Sequence, residues 1–224
     1  MAKSKLKKFA QINAFSNVIQ PEDKYPVSDY HLRGEWNRAY FRNDHPIVLE
    51  VGCGKGEYTT GLARAFPAVN FMGIDIKGDR LFRGASKALE EGLFNVAFLR
   101  IQAERIQYFF DRQEVSGIWL TFPDPQLRGS RRKKRLTSPQ FLARYQSILK
   151  DQAPIHLKTD NTTLYEYTLE TISTGGHTLQ FATRDLYRDE RLDEPMLTGI
   201  RTYYEEKFLA EGMPIHYLRF HLQP

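Results

Sequence analysis

The chain has a single cysteine, Cys53, so no intramolecular disulfide can form. That scarcity fits a reducing compartment, and a cytoplasmic location is the expectation. No apolar stretch approaches the roughly 20 residues that cross a bilayer. The lysine-rich start lacks the apolar run that makes a secretory signal, so none is expected. The six histidines, His31, His45, His156, His177, His216 and His221, are scattered without metal-ligand spacing, and no metal site is expected. Internal repeats are absent, and the only biased segments are two basic runs.

Those runs carry the positive charge. The formal net charge is +5. Residues 1–8 hold four lysines and residues 128–135 hold six basic side chains, with no acid in either. Outside them, 22 basic residues face 27 acidic ones, so the body is mildly acidic. Positive charge gathered in two patches is a footprint for a polyanion, RNA or DNA first. A solvated loop and tail is the bland alternative.

At 224 residues, with 41% hydrophobic and 26% charged content, one domain with a sizeable core is expected. Residues 1–45 read as an N-terminal extension of little periodicity, broken by Pro21 and Pro26 and basic at its start; residues 46–224 read as the domain proper. Apolar runs at 47–51, 69–74, 96–101, 115–122, 155–159, 177–183 and 215–222 read as strands. Amphipathic stretches at 80–91, 138–149, 164–173 and 203–211 read as helices, with a short helix after residue 101. Such alternation implies βαβ units and a parallel sheet whose ligands sit at the carboxyl ends of the strands.

The most informative segment is Glu50-Val51-Gly52-Cys53-Gly54-Lys55-Gly56-Glu57. A strand runs into glycines at alternate positions and then into a helix, so the backbone can turn through positive φ and let a ligand approach. A dinucleotide turn requires G-x-G-x-x-G. Here the third glycine comes one residue early, and Glu57 stands where that glycine would be. The carboxylate of Glu50 would repel pyrophosphate but suits a cationic ligand. The E-x-G-x-G-x-G pattern resembles motif I of class I S-adenosylmethionine (SAM) methyltransferases.

The other notable polar residues fall just past predicted strands. Asp75 ends the second, placed to reach a ribose diol or to cap a helix. Gln102 follows the third, where an amide oxygen can accept from an adenine amino group; Glu104 is the alternative. Asp124 follows the fourth inside Phe122-Pro123-Asp124-Pro125, held by two prolines. Asp160 ends the fifth. Thr202-Tyr203-Tyr204-Glu205-Glu206-Lys207-Phe208 is a polar-aromatic cluster that either begins a helix or reads a base.

Together these pieces resemble the bacterial tRNA (guanine-N7)-methyltransferase family. The matching segments are Glu50 to Gly56, Asp75, Phe122 to Pro125, the basic run into Arg135-Leu136-Thr137, His156 to Asp160, and Thr202 to Phe208. The resemblance implies a single Rossmann-like class I methyltransferase domain, with a mostly parallel seven-stranded sheet and an antiparallel last strand. It implies SAM as methyl donor, bound by Glu50, Gly52, Gly54, Gly56, Asp75, Gln102 and Asp124, with Asp124 also at the catalytic site. It implies tRNA as substrate, contacted by Arg128, Asp160, Thr202, Tyr203, Tyr204 and Glu205, and 7-methylguanosine in the variable loop as product.

The family pattern Asp-Pro-Trp-Pro-Lys is replaced here by Asp124-Pro125-Gln126-Leu127-Arg128, which removes a stacking side chain and exchanges lysine for arginine geometry. Gln102 stands where the family often has an acid. The rival readings are a SAM methyltransferase acting on another RNA or a small molecule, and an inactive RNA-binding protein on the same fold.

Overall fold

The computed structural model describes residues 10–21, 30–192 and 194–223. The amino-terminal lysines lie outside the described residues. Among the described residues, eight strands form one sheet: β1 (Val18–Ile19), β2 (Ile47–Val51), β3 (Asn70–Ile74), β4 (Val96–Leu99), β5 (Val115–Thr121), β6 (Ile155–Thr159), β7 (Thr178–Thr183) and β8 (His216–His221). Their spatial order is β1-β4-β3-β2-β5-β6-β8-β7. All pairings are parallel except those of β8, which runs antiparallel to both β6 and β7. Strand order reverses between β2 and β5, and a crevice at the carboxyl ends of the strands follows from that reversal.

All seven strands read from the sequence are present. The eighth, β1, comes from the stretch read as an extension. It is two residues long, and its signal is too short for periodicity to reveal. The described part of residues 1–45 also packs into the domain. The Trp36 ring is fully buried in the core cluster and its Nε1–H donates to the Phe109 carbonyl at 2.7 Å. The Glu114 carboxylate accepts from the Gly34 N–H at 2.9 Å and from the Trp36 N–H.

The helices are α1 (Glu57–Ala65), α2 (Gly78–Glu90), α3 (Pro139–Gln146), α4 (Thr162–Thr174), α5 (Pro195–Thr198) and α6 (Tyr203–Ala210). Their starts follow local chemistry. Pro139 occupies the first turn of α3, where its missing N–H costs nothing. The Asn161 side chain accepts from the Leu164 N–H at 2.9 Å to cap α4. Thr202 and Glu205 form a reciprocal capping box on α6.

Both sheet faces are covered. On one, Leu49, Val51, Leu120 and Leu157 pack with Phe141, Tyr145 and Leu164; on the other, Phe71, Phe98 and Trp119 pack with Tyr58, Leu62 and Leu81. Burial on both faces explains why the central strands read as continuous apolar runs.

Candidate active site at the carboxyl edge of the sheet

The glycine turn joins β2 to α1. Gly56 has φ 68°, and a Cβ there would lie 2.5 Å from the Phe98 ring. A Cβ on Gly84 of α2 would lie 2.7 Å from the Lys55 carbonyl oxygen. The turn therefore sits directly on α2 and β4, and only glycine fits at that contact.

Beside the turn is a cavity of about 300 Å³ lined by Gly52, Asp75, Gln102, Glu104 and the apolar walls Ile74, Ile76, Ile101 and Leu136. Asp75 Oδ2 accepts from the Gly54 N–H at 3.0 Å, and Oδ1 from the Lys77 N–H at 2.8 Å. Each oxygen keeps a lone pair, so the locked carboxylate can still accept from a diol. Apolar walls with a few placed acceptors suit a nucleoside. Gln102 and Glu104 both stand at this cavity, so the alternative between them stays open.

Glu50 is not in that cavity. Its carboxylate is 3% exposed and lies behind the turn. It accepts from the Thr59 N–H at 2.8 Å and from the hydroxyls of Thr59 and Thr121. Burial pushes its pKa up to about 7, against the lowering effect of those hydrogen bonds. Glu50 ties β2, β5 and the first turn of α1 together, and these hydrogen bonds set where its carboxylate stands relative to the turn. The sequence spacing that places an acid at the strand end does not say on which side of the turn it points.

The loop after β5 carries Asp124. It is bracketed by two non-glycine residues with positive φ, Phe122 at 48° and Gln126 at 46°. Held strain of this kind needs support from its surroundings. The Asp124 Oδ1 accepts from the Gln126 N–H at 2.9 Å, and the Phe122 N–H donates to the Lys158 carbonyl at 2.8 Å. The Asp124 side chain is exposed and lines a second cavity of about 380 Å³ with Pro125, Gln126, Leu127, Arg128 and Arg131.

Arg135 was expected among the cations that meet a polyanion, but it is only 3% exposed. Its Nε–H donates to the Pro125 carbonyl at 2.9 Å, and its guanidinium lies 4.3 Å from the centre of the Tyr167 ring. Arg135 thus braces the Asp124 loop from within. Its neighbour Leu136 lines the first cavity, with Cδ1 3.4 Å from where a Cβ on Gly52 would stand. The basic segment links the two cavities. Residues 129–134 form a short 3-10 helix, and none of them is buried.

Asp160 is half-buried at the end of β6, and burial raises its carboxyl pKa. Within the same strand, Lys158 is fully buried and paired with the equally buried Glu205 of α6. Lys158 Nζ also donates to the Leu197 carbonyl at 2.7 Å, and Glu205 Oε1 accepts from the Tyr187 hydroxyl at 2.9 Å. Burial lowers the pKa of Lys158, while Glu205 opposes that shift. Glu205 anchors α6 internally, with both its oxygens facing protein donors. Thr202 is buried as the cap of the same helix. Tyr203 and Tyr204 remain about half exposed, at 53% and 50%.

Lys158, Arg135 and Leu136 lie in segments singled out from the sequence, but the internal roles of these three side chains were not read there. A lysine inside an otherwise apolar strand, Ile155-His156-Leu157-Lys158-Thr159, is the available signal, since a doubly buried strand cannot hold an unpaired charge. His156 is a core residue: its ring stacks on Trp119 at 4.0 Å, and burial pulls its pKa down to about 3. No group of three or more His, Cys, Asp or Glu side chains that could hold a metal occurs among the described residues. No helix among them is long and apolar enough to cross a membrane.

A family model described as a putative methyltransferase matches residues 44–218. A curated tRNA (guanine-N(7)-)-methyltransferase of Christiangramia forsetii is 50% identical over 223 residues, covering 99% of each chain. One of Bacteroides fragilis is 45% identical, covering 98% of this chain and 86% of its own.

The chain belongs to the tRNA (guanine-N7)-methyltransferase family.

Solved structures carry the same fold. The 16S rRNA methyltransferase KamB superposes with a TM-score of 0.64 at 18% identity, over 85% of this chain and 94% of KamB. A 16S rRNA (adenine(1408)-N(1))-methyltransferase from Catenulisporales acidiphilia, solved with its cosubstrate SAM, gives 0.60 at 16% identity, over 85% and 92%.

Proposed function

We propose that this protein transfers the methyl group of SAM to N7 of a guanosine in tRNA, in the variable loop. One observation carries the site assignment: the nucleoside-shaped cavity at Asp75 adjoins the Asp124 cavity through the basic segment that holds Arg128, Arg135 and Leu136. The full-length relatives, named for this activity, support the choice of acceptor.

SAM supplies an electrophilic methyl group on a sulfonium. In this reading Asp75 accepts from the ribose hydroxyls, and Gln102 or Glu104 meets the adenine edge. Gly52, Gly54 and Gly56 let the turn pass close to the donor, and Glu50 fixes that turn from behind. Guanine N7 offers a lone pair and carries no proton, so no general base is required. The protein's task is alignment of N7 with the methyl–sulfur bond. The purine becomes cationic as the bond forms, and the carboxylates of Asp124 and Asp160 stabilise that charge. Arg128 and Arg131 meet phosphates. Tyr203 and Tyr204 present aromatic faces toward the nucleic acid. The protein acts in the cytoplasm, where tRNA is modified.

The test is to methylate unmodified tRNA with the purified protein and map the product by chain scission at 7-methylguanosine, whose glycosidic bond is labile after reduction. One scission in the variable loop is expected. Scission elsewhere moves the acceptor. SAM binding by calorimetry without any methyl transfer would select the inactive RNA-binding alternative.

A further inference from the structure

On the other side of the glycine turn, a groove of about 1010 Å³ runs between α1, α2 and the α5–α6 junction. Of its lining, the catalytic reading uses Tyr203 alone. Five cations line it, Lys55, Arg64, Arg83, Lys87 and Arg201, against two acids, Glu57 and Glu206. Glu57 is already engaged, accepting the Tyr203 N–H at 2.8 Å. Arg64 and Lys87 share Glu91, at 2.5 and 3.8 Å, but these are solvent-exposed pairs that hold little energy. The neutral residues Thr60, Gly61 and Gly84 also line it, with the Ile200 side chain lying against Gly61.

The groove is continuous with the segment expected to meet substrate. Tyr203 forms its upper rim, 53% exposed, with Lys55 Nζ 4.3 Å from the ring centre. An aromatic face beside a cation at the mouth of a basic channel is how nucleic-acid grooves combine stacking with phosphate contacts. The body of the protein is otherwise mildly acidic once the two basic runs are set aside. A cationic groove on that body is therefore a local arrangement and not a consequence of net charge.

We propose that this groove is a second RNA-docking surface, which holds the phosphate backbone of the tRNA body while the target guanosine enters at Asp124. The proposal rests on tRNA being the substrate. The basic segment 128–135 and the groove then grip the same molecule from two sides of the reacting edge, and Tyr203 lies between the groove and the acceptor.

The experiment measures binding of an unmodified tRNA transcript against salt concentration, for three proteins: wild type, Arg83→Gln/Lys87→Gln, and a control of equal charge change, Arg112→Gln/Lys150→Gln. The control residues are exposed and sit at the amino end of β5, on the opposite edge of the sheet. Each lost phosphate contact should lower the log–log salt slope by about 0.7–0.9, so the groove variant should lose about 1.4–1.8 and the control nothing. SAM affinity, read by calorimetry, should be unchanged in both, which also reports correct folding. Equal slopes for groove and control variants overturn the groove proposal and leave the methylation reading standing. A slope loss in the groove variant alone, with tRNA bound but never methylated by the wild type, supports the groove and overturns the activity.

Discussion

The buried pair Lys158–Glu205 decides how the Thr202–Glu205 segment works, and a double-mutant cycle can read it. Both side chains are fully buried. In Glu205→Gln, Lys158 keeps the Leu197 carbonyl at 2.7 Å but loses the carboxylate it pairs with. Removing one member of a buried pair costs about 3–5 kcal/mol, because the other charge is left uncompensated. For a domain of this size each kcal/mol moves the melting temperature by about 2–4 °C, so a loss of about 6–20 °C is expected. Lys158→Met should cost a similar amount, since it strands the Glu205 carboxylate. The double variant Lys158→Met/Glu205→Gln removes both charges and should cost less than the sum of the singles, with a coupling of about 1–3 kcal/mol. Thermal and urea unfolding of the four proteins gives the cycle. If Glu205→Gln melts with the wild type yet no longer binds tRNA, Glu205 is a direct substrate contact, and its placement as an anchor is wrong.

Asp75→Ala should weaken SAM binding by about 1.5–3 kcal/mol, read by calorimetry, because it deletes the charged acceptor of the nucleoside cavity; unchanged affinity in the folded variant would move the donor site elsewhere. Arg135→Lys keeps a charge but loses the fork that holds Pro125, so kcat should fall about tenfold or more while the tRNA salt slope stays put. A slope lowered by about 0.7–0.9 with kcat intact would make Arg135 a phosphate contact instead. Glu50 has a folded pKa of about 7, above its ordinary value of 4.5. The folded state then binds more protons than the unfolded state between those values, so stability falls as pH rises through this window. Glu50→Gln removes that titration, and its stability relative to wild type should improve from pH 5 to pH 8 by on the order of 3 kcal/mol; a pH-independent difference would mean the carboxylate is ionised throughout.

Much of the sheet is legible in the sequence because its strands are buried on both faces and stand out as apolar runs. The glycine turn is legible because its backbone geometry requires particular residues. The acids at strand ends can be found for the same reason, since position along a strand fixes the edge on which they emerge. Their direction is another matter. Glu50 and Asp75 both emerge beside one turn, yet Glu50 points inward to Thr59 and Thr121 while Asp75 faces the cavity. Glu205 reads equally well as a substrate contact or as the third residue of a capping box, and only the position of Lys158 across the fold separates them. Arg135 sits within a run of solvated cations, and nothing local distinguishes it from Arg131 or Arg132. β1 escaped because two residues carry no period, and Trp36 because its partners Phe109 and Phe110 lie more than 70 residues away.

The most direct test is to incubate the protein with methyl-labelled SAM and bulk unmodified tRNA, digest the RNA to nucleosides and separate them. Label in 7-methylguanosine alone is the expected result. Label in another nucleoside, or in none while SAM is bound, would contradict transfer to guanine N7.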